Sequence, residues 1–196
     1  MEACLFGTRD EWLTWTQADV VFAFYGFNES FGGDAGLEKF RKDLDQFLKH
    51  TKAQRYSGHG APRIVLFGPI ANEKLSDPNF PDPAANNDNL RKYNAAMAEV
   101  AKTNAVPFVD LFDASQRLFS QAAARGQALT LNTFLLTETG DHELAQEMFP
   151  ALFNEPAPKG EFKKLRAAVL DGAKTPRIFA CRRPLTIGIG RSILTP

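Results

Sequence analysis

The chain has 196 residues, 44% of them hydrophobic, with 23 basic residues against 23 acidic ones. That length suits one domain with a sizeable core, and zero formal charge gives no electrostatic reason to expect nucleic acid or an anionic membrane as partner. Cys4 and Cys181 make no disulfide framework, no apolar run approaches a spanning helix, and residues 1–9 lack the basic and apolar regions of a signal peptide, so a soluble globular chain of open compartment is expected.

In chain order, Trp12 and Trp15 stand three residues apart and read as one face of an amphipathic helix rather than a sugar-stacking platform. Residues 20–25 (VVFAFY), 63–67 (RIVLF) and 106–111 (VPFVDL) are short, nearly continuous apolar runs, the pattern of strands buried on both faces of a parallel sheet. Between the first two, residues 37–51 place Leu37, Phe40, Leu44, Phe47 and Leu48 at helical spacing. Residues 68–86 carry Pro69, Pro78, Pro81 and Pro83 among Asn and Asp, and predict a long, partly extended surface loop. Residues 87–104 return to helical spacing with Leu90, Tyr93, Met97 and Val100. A third core-packing helix is expected to start near Asp113 as N-cap, with Leu118, Phe119 and Ala122 on one side. Two more follow, marked by Leu144, Ala145, Met148, Phe149 and Leu152, then by Phe162, Leu165 and Val169. Strands alternating with amphipathic helices indicate an α/β fold over residues 1–172, with 173–196 as an irregular tail or a strand lacking partners.

In an open parallel sheet, ligands bind beyond the carboxyl ends of the strands, which here are loops 26–33, 68–73 and 112–115. The first reads Gly26-Phe27-Asn28-Glu29-Ser30-Phe31-Gly32-Gly33. Glycines let the backbone turn and approach a ligand closely, and an Asn held by such a turn can aim its carboxamide N–H at a developing oxyanion. The same residues also suit a plain strand-to-helix turn in which Asn and Ser satisfy local backbone.

This loop carries a resemblance to the SGNH (GDSL) hydrolases, whose third sequence block is a strand ending in Gly-x-Asn-Asp or Gly-x-Asn-Glu, matched by Gly26-Phe27-Asn28-Glu29. In the same order come Pro69-Ile70-Ala71-Asn72-Glu73, Tyr93-Asn94 and Phe108-Val109-Asp110-Leu111. Residues 132–145 (NTFLLTETGDHELA) resemble the family's last block. The resemblance runs from about residue 19 to residue 145 and implies a three-layer αβα, flavodoxin-like sandwich with a parallel sheet. It implies an esterase acting on acyl or sugar esters, with a small-molecule ester or carbohydrate as partner, no cofactor, and the export common in the family.

In that family a serine in a Gly-Asp-Ser block attacks the ester carbonyl, a histidine in the last block acts as base, and the Asn of the third block lends an oxyanion donor. The resemblance assigns that donor to Asn28, on the loop opened by Gly26, and places Glu29, Ser30, Glu73 and Asn132 around the ligand. The 25 residues before Gly26 contain no serine, so the fold is expected to be incomplete at its amino-terminal edge and the nucleophile absent. In the last block Leu135 stands where the histidine belongs, Asn132 at the usual aspartate position and Thr133 at the usual glycine. Leucine cannot accept a proton, so the base is expected to be lost as well.

No other residue replaces these. His142 falls seven residues after Leu135, about two helical turns away along the next helix. His50 reads as a cation near a helix C-terminus and His59 as an exposed loop residue. No His/Cys/Asp spacing resembles a metal site. Ser30 reads as a local hydrogen-bonding group, and Glu29 with Glu73 either as a glycosidase-like carboxylate pair or as solvated rim carboxylates, the second being preferred. Asp110 and Asp113 should cap or position the next helix. The expectation is therefore a degenerate ester hydrolase. A non-catalytic small-ligand or carbohydrate-binding module, and a fragment without independent role, stand as alternatives.

Overall fold

A computed structural model describes residues 8–160 and 162–172; the expected tail at 173–196 and both cysteines lie outside the described residues. The elements are α1 (Arg9–Trp15), β1 (Val20–Phe24), α2 (Gly33–Ala53), β2 (Arg63–Phe67), α3 (Ala84–Thr103), β3 (Phe108–Val109), α4 (Phe112–Ala124), α5 (Glu138–Phe153) and α6 (Lys163–Gly172), with a short 3₁₀ turn at Glu29–Gly32. The strands form one parallel sheet in the order β1-β2-β3, with Val20 beside Arg63, Phe24 beside Phe67 and Phe67 beside Val109. This is the expected α/β architecture.

Side chains alternate across the pleat, so each strand feeds two cores. Ile64 and Leu66 of β2 join Ala23, the α2 residues Phe40, Leu44, Phe47 and Leu48, and the α3 residues Tyr93, Met97 and Val100. Phe67, with Val65 beside it, belongs to the opposite core, together with Phe112, Leu118 and Phe119 of α4 and Leu144 of α5. Burying such a Leu or Phe side chain stabilises by roughly 1.5–3 kcal/mol, so the faces of α2, α3 and α4 read from spacing hold the layers together, whereas Phe162 and Leu165, expected to mark a further such face, are exposed. Phe24 stacks on Phe67 at 4.5 Å, yet the next residue on that face of β1, Phe22, is 45% exposed. The outer edge of β1 pairs with no strand among the described residues.

Two expectations need correction. The third strand has two residues rather than six, because Pro107 has no N–H to add to the ladder and Asp110 turns its carboxylate to the next helix. Pro107 still offers its carbonyl to the Leu66 N–H at 2.9 Å. Asp113 lies inside the first turn of α4 and the N-cap position is Leu111, while Asp110, one residue earlier, accepts at its Oδ1 from the N–H groups of Phe112 (2.9 Å) and Asp113 (3.2 Å). The tryptophans do lie on a helix, with rings 5.4 Å apart, but α1 buries no residue and both remain exposed. No described helix is long and apolar enough to cross a membrane.

Candidate active site

The loops at the carboxyl ends of the strands converge as expected, and each is tied down differently. After β1, Gly26 has φ +94°, and a Cβ there would stand 2.9 Å from Met97 Sδ and 3.2 Å from Pro69 Cδ. Only glycine fits both the left-handed backbone and that gap. The turn then closes on itself. The Gly26 N–H donates to Glu29 Oε2 (3.0 Å), the Ser30 N–H to the Gly26 carbonyl (3.2 Å), and Ser30 Oγ to the Phe27 carbonyl (2.6 Å). Ser30 is fully buried, and its hydroxyl is taken by the loop's own backbone. Glu29 is likewise engaged by its own loop. Asn28 alone of the polar trio forms no side-chain cap, and it is half-buried.

The loop after β2 is pinned to α4. The Ala71 N–H donates to Ser115 Oγ (2.8 Å), which itself donates to the Phe112 carbonyl (2.9 Å). Glu73 is the main correction at this site. It is only 3% exposed, so it is not a solvated rim carboxylate, nor half of an open carboxylate pair. Its oxygens accept from the N–H groups of Leu129 (3.0 and 3.1 Å) and Thr130 (2.7 Å) and from Thr130 Oγ1 (2.6 Å).

Residues 129–137 form a narrow hairpin, bridged at Thr130 and Leu136, with the Leu131 N–H donating to the Leu135 carbonyl (2.7 Å) and the Thr137 N–H to the Leu129 carbonyl (2.8 Å). Thr137 then caps α5 by accepting from the Gly140 N–H (3.1 Å). Thr133, at the family's glycine position, has φ +78°, a conformation that a β-branched residue rarely adopts. Asn132 Oδ1 accepts from the Leu135 N–H (3.0 Å), so that carboxamide oxygen serves the hairpin. His142 lies exposed on α5, and His59 is exposed in its loop. Among the described residues no three His, Cys, Asp or Glu side chains group to hold a metal ion.

Aromatic contacts that the sequence did not announce join the two blocks. Phe27, the residue before Asn28, meets Phe134 of the hairpin at 5.0 Å and Phe31 at 5.9 Å, so it joins the two loops. Phe31 is 67% exposed and Leu135 40%. An aromatic residue set between Ser30 and two glycines was the one available signal for Phe31. The quoted Tyr93-Asn94 pair proves to be scaffolding. Tyr93 Oη donates to the Gly33 carbonyl (2.9 Å) at the start of α2, and Asn94 Nδ2 to Asp110 Oδ2 (2.9 Å). Burial, and then the charges of Glu29 and Asp34, push the Tyr93 hydroxyl above its ordinary range, which keeps it a donor.

Residues 6–134, well over half of the chain, match the GDSL-like lipase/acylhydrolase family. The chain belongs to that family and has the ester-hydrolase fold. Among solved structures it is similar to a catalytic mutant of an acetylxylan esterase from Geobacillus stearothermophilus, at 17% identity and a TM-score of 0.53, covering 74% of this chain and 64% of that one. The acetyl xylan esterase AlAXEase is 18% identical with a TM-score of 0.51, covering 70% and 69%. A peptidoglycan O-acetylesterase is 15% identical with a TM-score of 0.52, covering 76% and 43%. The chain thus spans somewhat less than two thirds of the length of the Geobacillus esterase. A search of curated protein sequences gives no match.

Proposed function

We propose that these 196 residues carry an ester-hydrolase site by descent that receives an acyl carbonyl at Asn28 and does not turn it over. The observation that carries this reading is the contrast between Asn28 and its neighbours. Glu29, Ser30, Glu73, Ser115 and the Asn132 oxygen each hold a hydrogen bond within the chain, whereas the Asn28 carboxamide has no cap to make. A carboxamide N–H at the end of a parallel strand can donate to a carbonyl oxygen, more strongly as that oxygen gains charge. In related chemistry one such donor is worth about 10²–10³ in rate.

Hydrolysis further requires a nucleophile and a base that removes its proton. Leu135 at the histidine position has no lone pair to receive one. Ser30 and Ser115, the two serines in the site loops, are both fully buried and bonded to backbone. Without a base at position 135 and with Ser30 and Ser115 both engaged, donation from Asn28 holds a carbonyl that these loops do not attack.

The same inventory favours an apolar acyl or aryl ester over a free sugar. A sugar presents several hydroxyls and needs several convergent polar groups, whereas the two loops put forward large apolar side chains, with Phe27 packed on Phe31 and Phe134 and with Phe31 and Leu135 exposed. The carbohydrate reading draws its support from the acetylxylan and peptidoglycan named for the structural neighbours. Titration followed by NMR separates them. Phenyl acetate is expected to shift the Asn28 carboxamide resonances saturably, and xylobiose to leave them in place. Saturable shifts with xylobiose alone would reverse the assignment.

A further inference from the structure

We propose that Glu73 is the positioning residue of this site: it fixes the 129–137 hairpin at neck and tip, and thereby sets Phe134 against Phe27 and the direction of Asn28. The carboxylate takes the neck, through the Leu129 and Thr130 N–H groups and the Thr130 hydroxyl, at 2.6 to 3.1 Å. The backbone N–H of the same residue takes the tip, donating to the Thr133 carbonyl at 2.7 Å. One residue therefore spans the hairpin from end to end, and it holds the tip where Thr133 sits at φ +78°.

Three donors converge on the carboxylate, and no salt bridge to it occurs among the described residues. Burying a carboxylate is costly unless hydrogen bonds compensate it, and here neutral N–H and O–H groups supply the compensation. The position demands an acceptor-only group. A glutamine would set its NH₂ against at least one backbone N–H in either orientation, and an aspartate would fall short of the neck. From the hairpin the constraint passes through the Phe134–Phe27 contact at 5.0 Å to the residue that follows Phe27, which is Asn28. The effect on ligand binding rests on the reading of Asn28 given above; the effect on geometry does not.

The test is NMR on the full chain and on Glu73→Gln and Thr130→Val. In Glu73→Gln the Leu129 and Thr130 amides should exchange about tenfold faster or more, the Phe27–Phe134 ring contacts should weaken, and the Asn28 carboxamide should shift, while α2 and β2 keep their protection. Thr130→Val removes one donor only and should move the same resonances less, which keeps the test open if Glu73→Gln fails to fold. Phenyl acetate should then bind Glu73→Gln about fivefold more weakly or worse. Unchanged Asn28 and Phe27–Phe134 signals in either folded variant would overturn the proposal, as would a loss of protection spread evenly over α2 and α3. Absence of phenyl acetate binding to the parent chain would sink the ligand reading alone, because the exchange and ring-contact results judge the latch without it.

Discussion

At residue scale the site depends on two left-handed backbone positions that the sequence treats in opposite ways. Gly26 is the residue its conformation requires. Gly26→Ala should destabilise by about 2–4 kcal/mol, from the strain of φ +94° together with the clash against Met97 and Pro69, as a lowered denaturant midpoint would show. Thr133 is the wrong residue for φ +78°. Thr133→Gly should leave stability within about 1 kcal/mol of the parent, because relieved strain offsets the buried side chain it removes. A loss of about 3 kcal/mol or more in the same unfolding titration would contradict that account. The turn that carries Asn28 was legible in the sequence because an apolar run ending in Gly-x-Asn marks the end of a strand. Glu73 was misread because its partners lie 56 and 57 residues away and are mostly backbone N–H groups, which no side-chain pattern records.

At the scale of elements, the buried faces of the helices that pack on the sheet were legible from their apolar spacing. Phe40, Leu44, Phe47 and Leu48 are buried as the spacing of α2 predicts. That helix nevertheless starts at Gly33, before the apolar pattern begins, where Tyr93 bonds the Gly33 carbonyl and Lys92 pairs with Asp34 at 2.6 Å. Such tertiary contacts override the low helix propensity of a Gly-Asp-Ala-Gly start. The docking of α1 was not legible at all, for it is polar. Asp10 accepts from Tyr56 Oη at 2.6 Å and pairs with His50 Nε2 at 2.6 Å, while the Arg9 guanidinium lies 4.6 Å from the Phe47 ring centroid. Burial, and then the hydrogen bond and charge of Asp10, push the Tyr56 hydroxyl up to about 12. Burial acts to raise the Asp10 carboxyl, but its bonds to Tyr56 and His50 outweigh it and hold the group below its ordinary value.

The signs of these shifts give a pH prediction. The raised Tyr56 contributes stability that is present below its ordinary value of 10.0 and is lost as pH rises toward about 12. The lowered Asp10 contributes stability that is present above 3.8 and is lost as pH falls through its folded-state value. Melting temperatures of the parent and Tyr56→Phe should therefore converge between pH 10 and 12, the parent losing its advantage as Tyr56 ionises. A constant difference across that range would show that Tyr56 does not titrate in this way.

At the scale of the whole molecule, the parallel three-stranded sheet with helices on both faces could be argued from alternating patterns alone. The two cores predict a single cooperative melt, and a melt without a cooperative transition would favour the fragment reading. What the pattern could not reveal is how thoroughly the polar residues of the crevice are engaged by the chain itself. Glu29, Ser30 and Glu73 are held within the chain, whereas Asn28 makes no side-chain cap. The account is tested most directly by p-nitrophenyl acetate hydrolysis, with the purified chain compared against buffer and against Asn28→Ala. It predicts release of p-nitrophenol at the background rate for both proteins. Turnover above background that Asn28→Ala abolishes would contradict it, because a working nucleophile would then stand beside that carboxamide.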